Sequence, residues 1–332
     1  MDKTDLPTIT TDVTTNTQHQ KLRKHSKKQS GLKELWRRYR QNPQAVIGLV
    51  ILIVMTLTAI FADVIAQGTD IHPAYDIQDF SRVRELPSRD FPFGTDQFGR
   101  CVFSRVVHGT RNTLTVGLIA LAISTVFGII SGAIAGYYSG VIDNTVMRLL
   151  DVIIAIPPIV LAISLGLVFG RGLINMVLAA GIAFIPHYAR IVRGQVLSVR
   201  EQEFIEAAHS SGAGDLRIIT KHVLPNCIAP IIIQISMGIA NMIIVISSLS
   251  FLGMGMFPPM PEWGTMLYQG SRFIPFGYWH MILFPGIAIA LLIISFNLVG
   301  DGLRDAFDPK LRSAGFSMRR LKGLKQILNS GE

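Results

Sequence analysis

The sequence has little charge and little cysteine for its length. Only 16% of its 332 residues are Asp, Glu, Lys or Arg, whereas 49% are hydrophobic, and the mean hydropathy is +0.42. A soluble globule of this size needs more polar surface, so the composition indicates an integral membrane protein. The two cysteines, Cys101 and Cys227, lie in different regions of the chain without a motif around either. This argues against a disulfide or a metal site.

Motifs for nucleotide binding and catalysis are also missing. No G-x-x-x-x-G-K-[ST] loop occurs in the chain, so it carries no phosphate cradle of its own. The sequence contains no H-E-x-x-H or C-x-x-C motif and no recognisable Ser-His-Asp arrangement. We therefore expect no catalytic site, no cofactor and no metal ion in this chain.

Six apolar stretches are long enough to cross a membrane as helices. A bilayer core is about 30 Å thick and a helix rises about 1.5 Å per residue, so one span needs roughly 20 apolar residues. Long apolar runs favour helices over a barrel, whose strands alternate between lumen and lipid. The sequence predicts an all-α membrane protein with six transmembrane helices, at residues 44–66, 112–137, 146–170, 173–192, 227–255 and 281–301.

Basic residues near both ends set the predicted orientation. Residues 21–40 contain nine Lys or Arg and one Glu, and the chain after Leu303 contains seven Lys or Arg and three acids. Basic segments beside spans stay in the cytoplasm, where they also contact anionic lipid. A basic run directly before a span indicates such an anchor rather than a nucleic-acid site. Both termini are therefore predicted to be cytoplasmic, with 193–226 inside and 256–280 outside.

These features divide the chain into four parts. Residues 1–43 form a basic cytoplasmic tail that is partly disordered, because its first 30 residues contain few apolar side chains. Residues 44–111 comprise the first span and an extracytoplasmic segment. Residues 112–303 form a five-helix core that includes the polar loop 193–226, and residues 304–332 form a second basic cytoplasmic tail.

One segment of that loop, residues 206–226, is polar and helix-prone between two apolar runs. Gly212 can adopt the left-handed conformation that ends a helix, and Asp215 can cap a second short helix. Pro225 is expected to break the chain before the next span. The prediction is two short helices on the cytoplasmic side. Such a unit either packs only against its own bundle or projects as a knob that a partner binds.

This segment resembles the EAA signature of ATP-binding-cassette import permeases. The signature reads Glu-Ala-Ala, three residues, Gly, nine residues, a variable position, one residue and Leu-Pro. The matching residues here are Glu206, Ala207, Ala208, Gly212, Leu224 and Pro225. His222 stands at the variable position, where the general signature has isoleucine, as in permeases for dipeptides, oligopeptides and nickel.

Two further stretches resemble the C-type permease subunit of dipeptide, oligopeptide and nickel importers. They are residues 91–117, which precede the core spans, and residues 146–163. The family usually has an aspartate where this chain has Cys101, a departure at one position outside the core. The resemblance covers the chain from about residue 30 to about residue 312.

The resemblance implies a type I ABC importer permease in a bacterial or archaeal cell membrane. Its partners would be a second permease subunit in a heterodimer, two cytoplasmic ATPases that bind ATP, and an extracytoplasmic solute-binding protein. Substrate would cross by alternating access, and di- or oligopeptides are the expected cargo. Nickel, a metal–chelator complex and glutathione are alternatives. A self-sufficient secondary transporter would show inverted repeats or ion-coupling carboxylates in broken spans, and neither is found.

The resemblance also gives the polar loop a role in coupling ATP hydrolysis to transport. Its three residues Glu-Ala-Ala and its glycine would form the face that docks on an ATPase, and its Leu-Pro pair would set the angle to the fifth span. The implied coupling loop contains Glu206, Ala207, Ala208, Gly212, His222, Leu224 and Pro225.

Polar residues within the fifth predicted span are candidates for the translocation path. The residues singled out are Gln234, Asn241 and Ser247. Side chains of this kind either line a path or hydrogen-bond to neighbouring helices, as small polar residues do in membranes.

Two further polar features have interpretations that need no substrate. Asp151 follows Arg148 by three residues, which predicts an ion pair within one helix. Aromatic residues of the outer loop, among them Trp263, would lie in the membrane interface, or would form a contact surface for the solute-binding protein.

Overall fold

The computed structural model describes residues 31–66, 74–170, 172–256 and 258–307. Apart from an isolated bridge between Thr95 and Cys101, these residues form no strand. Most of the two predicted basic tails lies outside the described residues. The α-helices are α1 (Gly31–Tyr39), α2 (Pro43–Ile60), α3 (Ala62–Ile65), α4 (Val102–Tyr138), α5 (Gly140–Ile154), α6 (Pro158–Phe169), α7 (Leu173–Arg200), α8 (Glu203–Ser210), α9 (Asp215–Ile218), α10 (Leu224–Leu249), α11 (Trp263–Ser271) and α12 (His280–Phe307).

The predicted all-α membrane fold is confirmed. Five continuous helical segments of the described chain are long and apolar enough to cross a membrane. They contain α2, α4, α7, the run from α9 to α10, and α12. A sixth span is obtained when the bent pair of α5 and α6 is counted as one.

The third predicted span, residues 146–170, is not one straight helix. It divides into α5 and α6, whose axes differ by 82°. The break lies at Pro157 and Pro158, because a proline has no N–H for the helical ladder and its ring clashes with the preceding turn. Helix α5 also begins at Gly140, six residues before the predicted span.

Helix α4 begins ten residues earlier than its predicted span. It contains 37 residues, and at about 1.5 Å per residue it is about 55 Å long, more than a bilayer core requires. Its first turns carry Arg105 and His108, both buried against other parts of the protein. Hydropathy alone therefore predicts too late a start for α4, because the helix continues through polar residues that tertiary contacts bury.

Three glycines bring α4 and α7 into close contact. Gly128, Gly132 and Gly136 recur every four residues and lie on one face of α4. A Cβ built on Gly132 would lie 2.4 Å from the carbonyl oxygen of Ala189 and 2.9 Å from the Cβ of Val192. Helices in membranes associate through such small-residue faces because close packing replaces the hydrophobic effect. The α4–α7 pair is the most extensive helix contact in the described chain.

Two ion pairs join α5 to the second half of α7. The carboxylate of Asp143 is buried and accepts from the Arg193 guanidinium, with Nε to Oδ1 at 2.6 Å. Asp151 pairs with Arg190 at a more exposed position. The predicted pair within one helix, Arg148 with Asp151, is therefore wrong, because α7 brings a guanidinium closer to this carboxylate.

We expect Arg193→Ala to lower the free energy of unfolding by about 3 kcal/mol, because Asp143 would keep a buried charge without its partner. Arg190→Ala, which breaks the exposed pair, is the matched control and should cost less than about 1 kcal/mol. Thermal unfolding of the purified protein in detergent measures both. Equal shifts for the two variants would contradict the assignment of the buried pair.

An outer cap is formed by residues 74–101 and 258–279. Trp263 is fully buried there and donates its indole N–H to the carbonyl of Val106, so its predicted place in an exposed aromatic belt is wrong. Glu262 caps α11 by accepting from the amides of Gly264 and Thr265, and its burial raises the pKa of the carboxyl. The cap thereby fixes the outer end of α4 to α11.

Candidate functional site

The polar segment, which the sequence predicts to be cytoplasmic, begins with α8, which is eight residues long. It ends as predicted at Gly212, whose φ is +77°. The amide of Gly212 donates to the carbonyl of His209, and the amide of Ala213 donates to that of Ala208. This is a Schellman motif, in which a left-handed residue closes the last turn of a helix. The local sequence alone determines this end.

The second part of the segment differs from its prediction. Asp215 does not cap a separate helix, since the N-cap is Gly214 and α9 starts at Asp215 itself. From there the chain continues through a π-helical turn, Ile219–Val223, directly into α10. The predicted break at Pro225 is therefore wrong.

The π-helical turn explains how a proline fits into a continuous helix. The amide of Leu224 donates to the carbonyl of Ile219, five residues earlier, instead of the usual four. The wider turn separates the ring of Pro225 from the preceding carbonyls, and Pro225 stands at the start of α10, where its missing N–H is tolerated. A helical turn rather than a loop therefore joins α9 to α10.

The predicted docking residues do not all face the same way. Glu206, Ala207 and Gly212 are exposed, whereas Ala208 is half-buried against the protein's own core. Glu206 also lies in the first turn of α8, where a negative charge is favoured by the helix dipole. We name the three exposed residues the coupling surface.

Two exposed apolar side chains belong beside the coupling surface and were missed by sequence reasoning. Phe204 on α8 is 39% exposed and Leu216 on α9 is 75% exposed. Exposed apolar surface of this kind is available to a partner when it forms part of a contiguous patch. Helical spacing could have predicted this exposure, because Ile205 and Ile218 lie on the buried face of the segment. Phe204 and Leu216 point away from that face.

The inner face of the segment packs into the bundle. Ile205, Ile218 and Val223 are buried in one cluster with Val196 of α7 and other apolar residues. The polar loop therefore does not pack on all sides, and binding of a partner to its exposed face stays a prediction. One face packs against its own helices, and the opposite face is open.

A polar contact fastens the segment to the end of α4. The hydroxyl of Tyr137 donates to Oδ1 of Asp215 at 2.9 Å and lies 3.1 Å from Nε2 of His209. Arg200, at the end of α7, donates to the backbone carbonyl of Tyr137 at 2.8 Å. These groups border an open cleft of about 520 Å³ that Glu206 also lines.

The remaining coupling-loop residues lie at the junction with α10. His222 and Leu224 are half-buried, and Pro225 is exposed. The side-chain amide of Asn226 donates to the carbonyl of His222 at 2.6 Å, which ties the π-helical turn to the first turn of α10. Among the described residues, no side-chain hydrogen bond of His222 explains why a histidine stands here in place of the isoleucine of the general signature.

The candidate path residues lie on two faces of α10. Gln234 and Asn241 are seven residues apart and share one face, while Ser247 is rotated away from it and is buried. Ser248 continues the face of Gln234 and Asn241, and its hydroxyl donates to a carbonyl of its own helix. Gln234 and Asn241 make no side-chain hydrogen bond to the described part of the chain, so their role in the path stays a prediction.

Two family models match the sequence. Residues 124–313 match the model described as binding-protein-dependent transport system inner membrane component. Residues 30–87 match the N-terminal TM domain of oligopeptide transport permease C.

Individual relatives are similar over most of the chain. A dipeptide transport system permease protein DppC of Alkalihalophilus pseudofirmus is 41% identical over 85% of this chain and 90% of that protein. The glutathione transport system permease protein GsiD of Pectobacterium atrosepticum is 41% identical over 85% of this chain and 92% of its own length. A di/tripeptide permease DppC of Pseudomonas aeruginosa is 38% identical over 86% and 94%.

A solved structure of the MetNI methionine ABC transporter in an inward-facing conformation has a similar fold. Its TM-score is 0.50 at 18% sequence identity, and the match covers 61% of this chain and 97% of that chain. At this identity the likeness concerns the fold, which is that of an ABC transporter permease.

Proposed function

The chain belongs to the family of binding-protein-dependent transport system inner membrane components, and on that membership we propose that it imports di- or oligopeptides in an ATP-driven complex. The observation that carries the peptide assignment is the 38–41% identity to dipeptide and di/tripeptide permeases over about 85% of the chain. Glutathione is the second candidate, because a glutathione permease is equally similar at 41%. Nickel and metal–chelator complexes remain alternatives with less support.

The other components of the complex are part of the same proposal. The permease would form a heterodimer with a second permease subunit in the cell membrane, with two ATPases on the cytoplasmic side and a solute-binding protein outside. ATP would be bound by the ATPases, since the chain contains no phosphate-binding loop. We find no support for a secondary transporter in the family match.

We place the ATPase contact at the coupling surface. Support comes from its exposure, from the charge of Glu206, and from the exposed apolar side chain of Leu216 beside it. Interfaces of this kind combine an apolar contact with complementary charge at the rim. The inner face of the same segment is packed, so a force applied to the coupling surface reaches α7 and α10.

Alternating access would use the continuous helical run from α9 to α10. From Asp215 to Leu249 the helical chain has no break, a length of about 50 Å at about 1.5 Å per residue. A tilt imposed at the coupling surface would therefore reorient the polar face that contains Gln234 and Asn241. These two side chains would offer hydrogen bonds to a peptide backbone without forming a tight site.

The proposal is tested by purifying the tagged chain from its own membranes with the proteins that accompany it and reconstituting that complex in liposomes. We expect uptake of a labelled dipeptide that needs both ATP and the solute-binding protein. Competition by unlabelled dipeptide, glutathione and nickel ions then identifies the cargo. Uptake driven by an ion gradient without ATPase subunits would overturn the proposal, and competition by glutathione alone would favour the second candidate.

A further inference from the structure

Tyr137 occupies the last turn of α4, next to the glycine that closes the contact with α7. Its side chain is 6% exposed, and its ring packs in the same cluster as Ile205 and Ile218 of the polar segment. A phenylalanine would satisfy that packing. The hydroxyl therefore adds something that the apolar contact does not require.

The hydroxyl joins two elements that lie on either side of the Gly212 turn. It donates its only proton to the carboxylate of Asp215, at the start of α9, because an ionised carboxylate can only accept. The Nε2 atom of His209, in the last turn of α8, must then donate to the same oxygen. Within the described residues, these are the only hydrogen bonds of the His209 and Asp215 side chains.

The position of Tyr137 is itself fixed. A Cβ on the preceding residue, Gly136, would lie 2.9 Å from the carbonyl oxygen of Arg193 and 2.9 Å from the Cβ of Val196. Arg200 binds the backbone carbonyl of Tyr137. The end of α4 therefore cannot shift relative to α7 without repacking their contact.

We propose that Tyr137 is a positioning residue for coupling. Its hydroxyl holds α8 and α9 at a fixed angle to the α4–α7 pair, so that a displacement of the coupling surface moves α4, α7 and α10 together. Without the hydroxyl, α8 and α9 yield locally and part of the displacement is lost. This inference rests on the proposed function, because it assumes that a partner pushes on the coupling surface.

The test compares Tyr137→Phe with Tyr138→Phe in the reconstituted complex. Tyr138 is the matched control, since it is adjacent, exposed and makes no side-chain hydrogen bond within the described part of the chain. For Tyr137→Phe we expect ATP hydrolysis within about twofold of the native complex and about tenfold fewer peptides transported per ATP, because a hydrogen bond to a charged group is lost. Tyr138→Phe should leave this ratio unchanged.

Variants of Asp215 separate positioning from a general loss of structure. Asp215→Asn keeps an oxygen that can accept from the Tyr137 hydroxyl and should retain most of the transport per ATP. Asp215→Ala removes the acceptor from an exposed side chain, with little risk to folding, and should lower the ratio. Combined with Tyr137→Phe it should add nothing further, because Tyr137→Phe already removes the bond to Asp215 together with the contact to His209.

The outcomes distinguish this inference from the proposed function. If the native complex shows no ATP-dependent uptake, the proposed function fails. If the native complex transports peptide and both Tyr137→Phe and Asp215→Ala keep the native ratio, the positioning role of Tyr137 is wrong while the function stands. Should Tyr137→Phe not assemble, an unchanged ratio in the double variant His209→Ala with Asp215→Ala, in which the hydroxyl has lost both partners, refutes the inference.

Discussion

Replacing Gly132 with alanine is expected to lower the free energy of unfolding by about 2–3 kcal/mol, the range for forcing an extra carbon into a tightly packed contact. The new Cβ would lie 2.4 Å from a backbone carbonyl oxygen of α7, which cannot rotate away as a side chain can. The two helices would have to separate along their contact. Thermal unfolding in detergent, together with the amount of folded protein in the membrane, measures the loss.

Gly194 provides the control for this substitution. It lies in α7, and a Cβ added there meets nothing within 4 Å. Gly194→Ala should be neutral or stabilising by up to about 1 kcal/mol, because alanine favours a helix over glycine. If the two alanine variants unfold at the same temperature, the glycine face of α4 does not determine the packing of this pair.

Replacing Glu206 with lysine is expected to reduce peptide-stimulated ATP hydrolysis and uptake by about 100-fold, while the permease still folds. Glu206 is exposed, so reversing its charge costs the chain itself only about 0.5–1 kcal/mol through the helix dipole. At a docked interface the same reversal replaces attraction with repulsion of several kcal/mol. ATPase assays and uptake measurements on the reconstituted complex give both rates.

Glu203 allows the position of that charge to be tested. It is also exposed and also lies in the first turn of α8, one helical turn before Glu206. Glu203→Lys should change both rates by less than about threefold, since the charge of the whole segment is altered equally but the coupling surface is left intact. If Glu206→Lys kept the native rates of ATP hydrolysis and uptake, the coupling surface would not be the ATPase contact.

The fold was predictable from the sequence as far as it depends on local pattern. Within the described residues, apolar length located the five candidate spans and the bent pair of α5 and α6, and Gly212 ended α8 as its left-handed conformation requires. The predictions failed where contacts between residues far apart in the sequence determine the structure. Arg105 at the start of α4 donates to the carbonyls of Tyr75 and Pro259 in the outer cap. His108 contacts Asp63 of α3, so the helix accommodates both polar residues. Pro225 is accommodated by a π-helical turn, which hydropathy does not indicate.

The candidate site also has a part that the sequence predicts and a part that it does not. The signature residues could be named from their spacing, and the exposure of Glu206, Ala207 and Gly212 follows because the opposite face of the segment is apolar. The Tyr137–Asp215 hydrogen bond joins residues 78 positions apart, so no local pattern could have indicated it. The glycines at 128, 132 and 136 were visible as a four-residue repeat, and their meaning needed the partner helix that they contact.

The bend between α5 and α6 limits which neighbours, lipid, water or protein, can pack against it. Pro157 and Pro158 remove two consecutive peptide donors, and acyl chains offer no replacement for a missing hydrogen bond. Ile156 and Ile159, on either side of the two prolines, are 41% and 39% exposed in the single chain. Counted as one span, the bent pair therefore needs a protein neighbour or water beside the break. Lipid alone offers no hydrogen-bond donor there, so contact with a polar or protein surface would stabilise the bend.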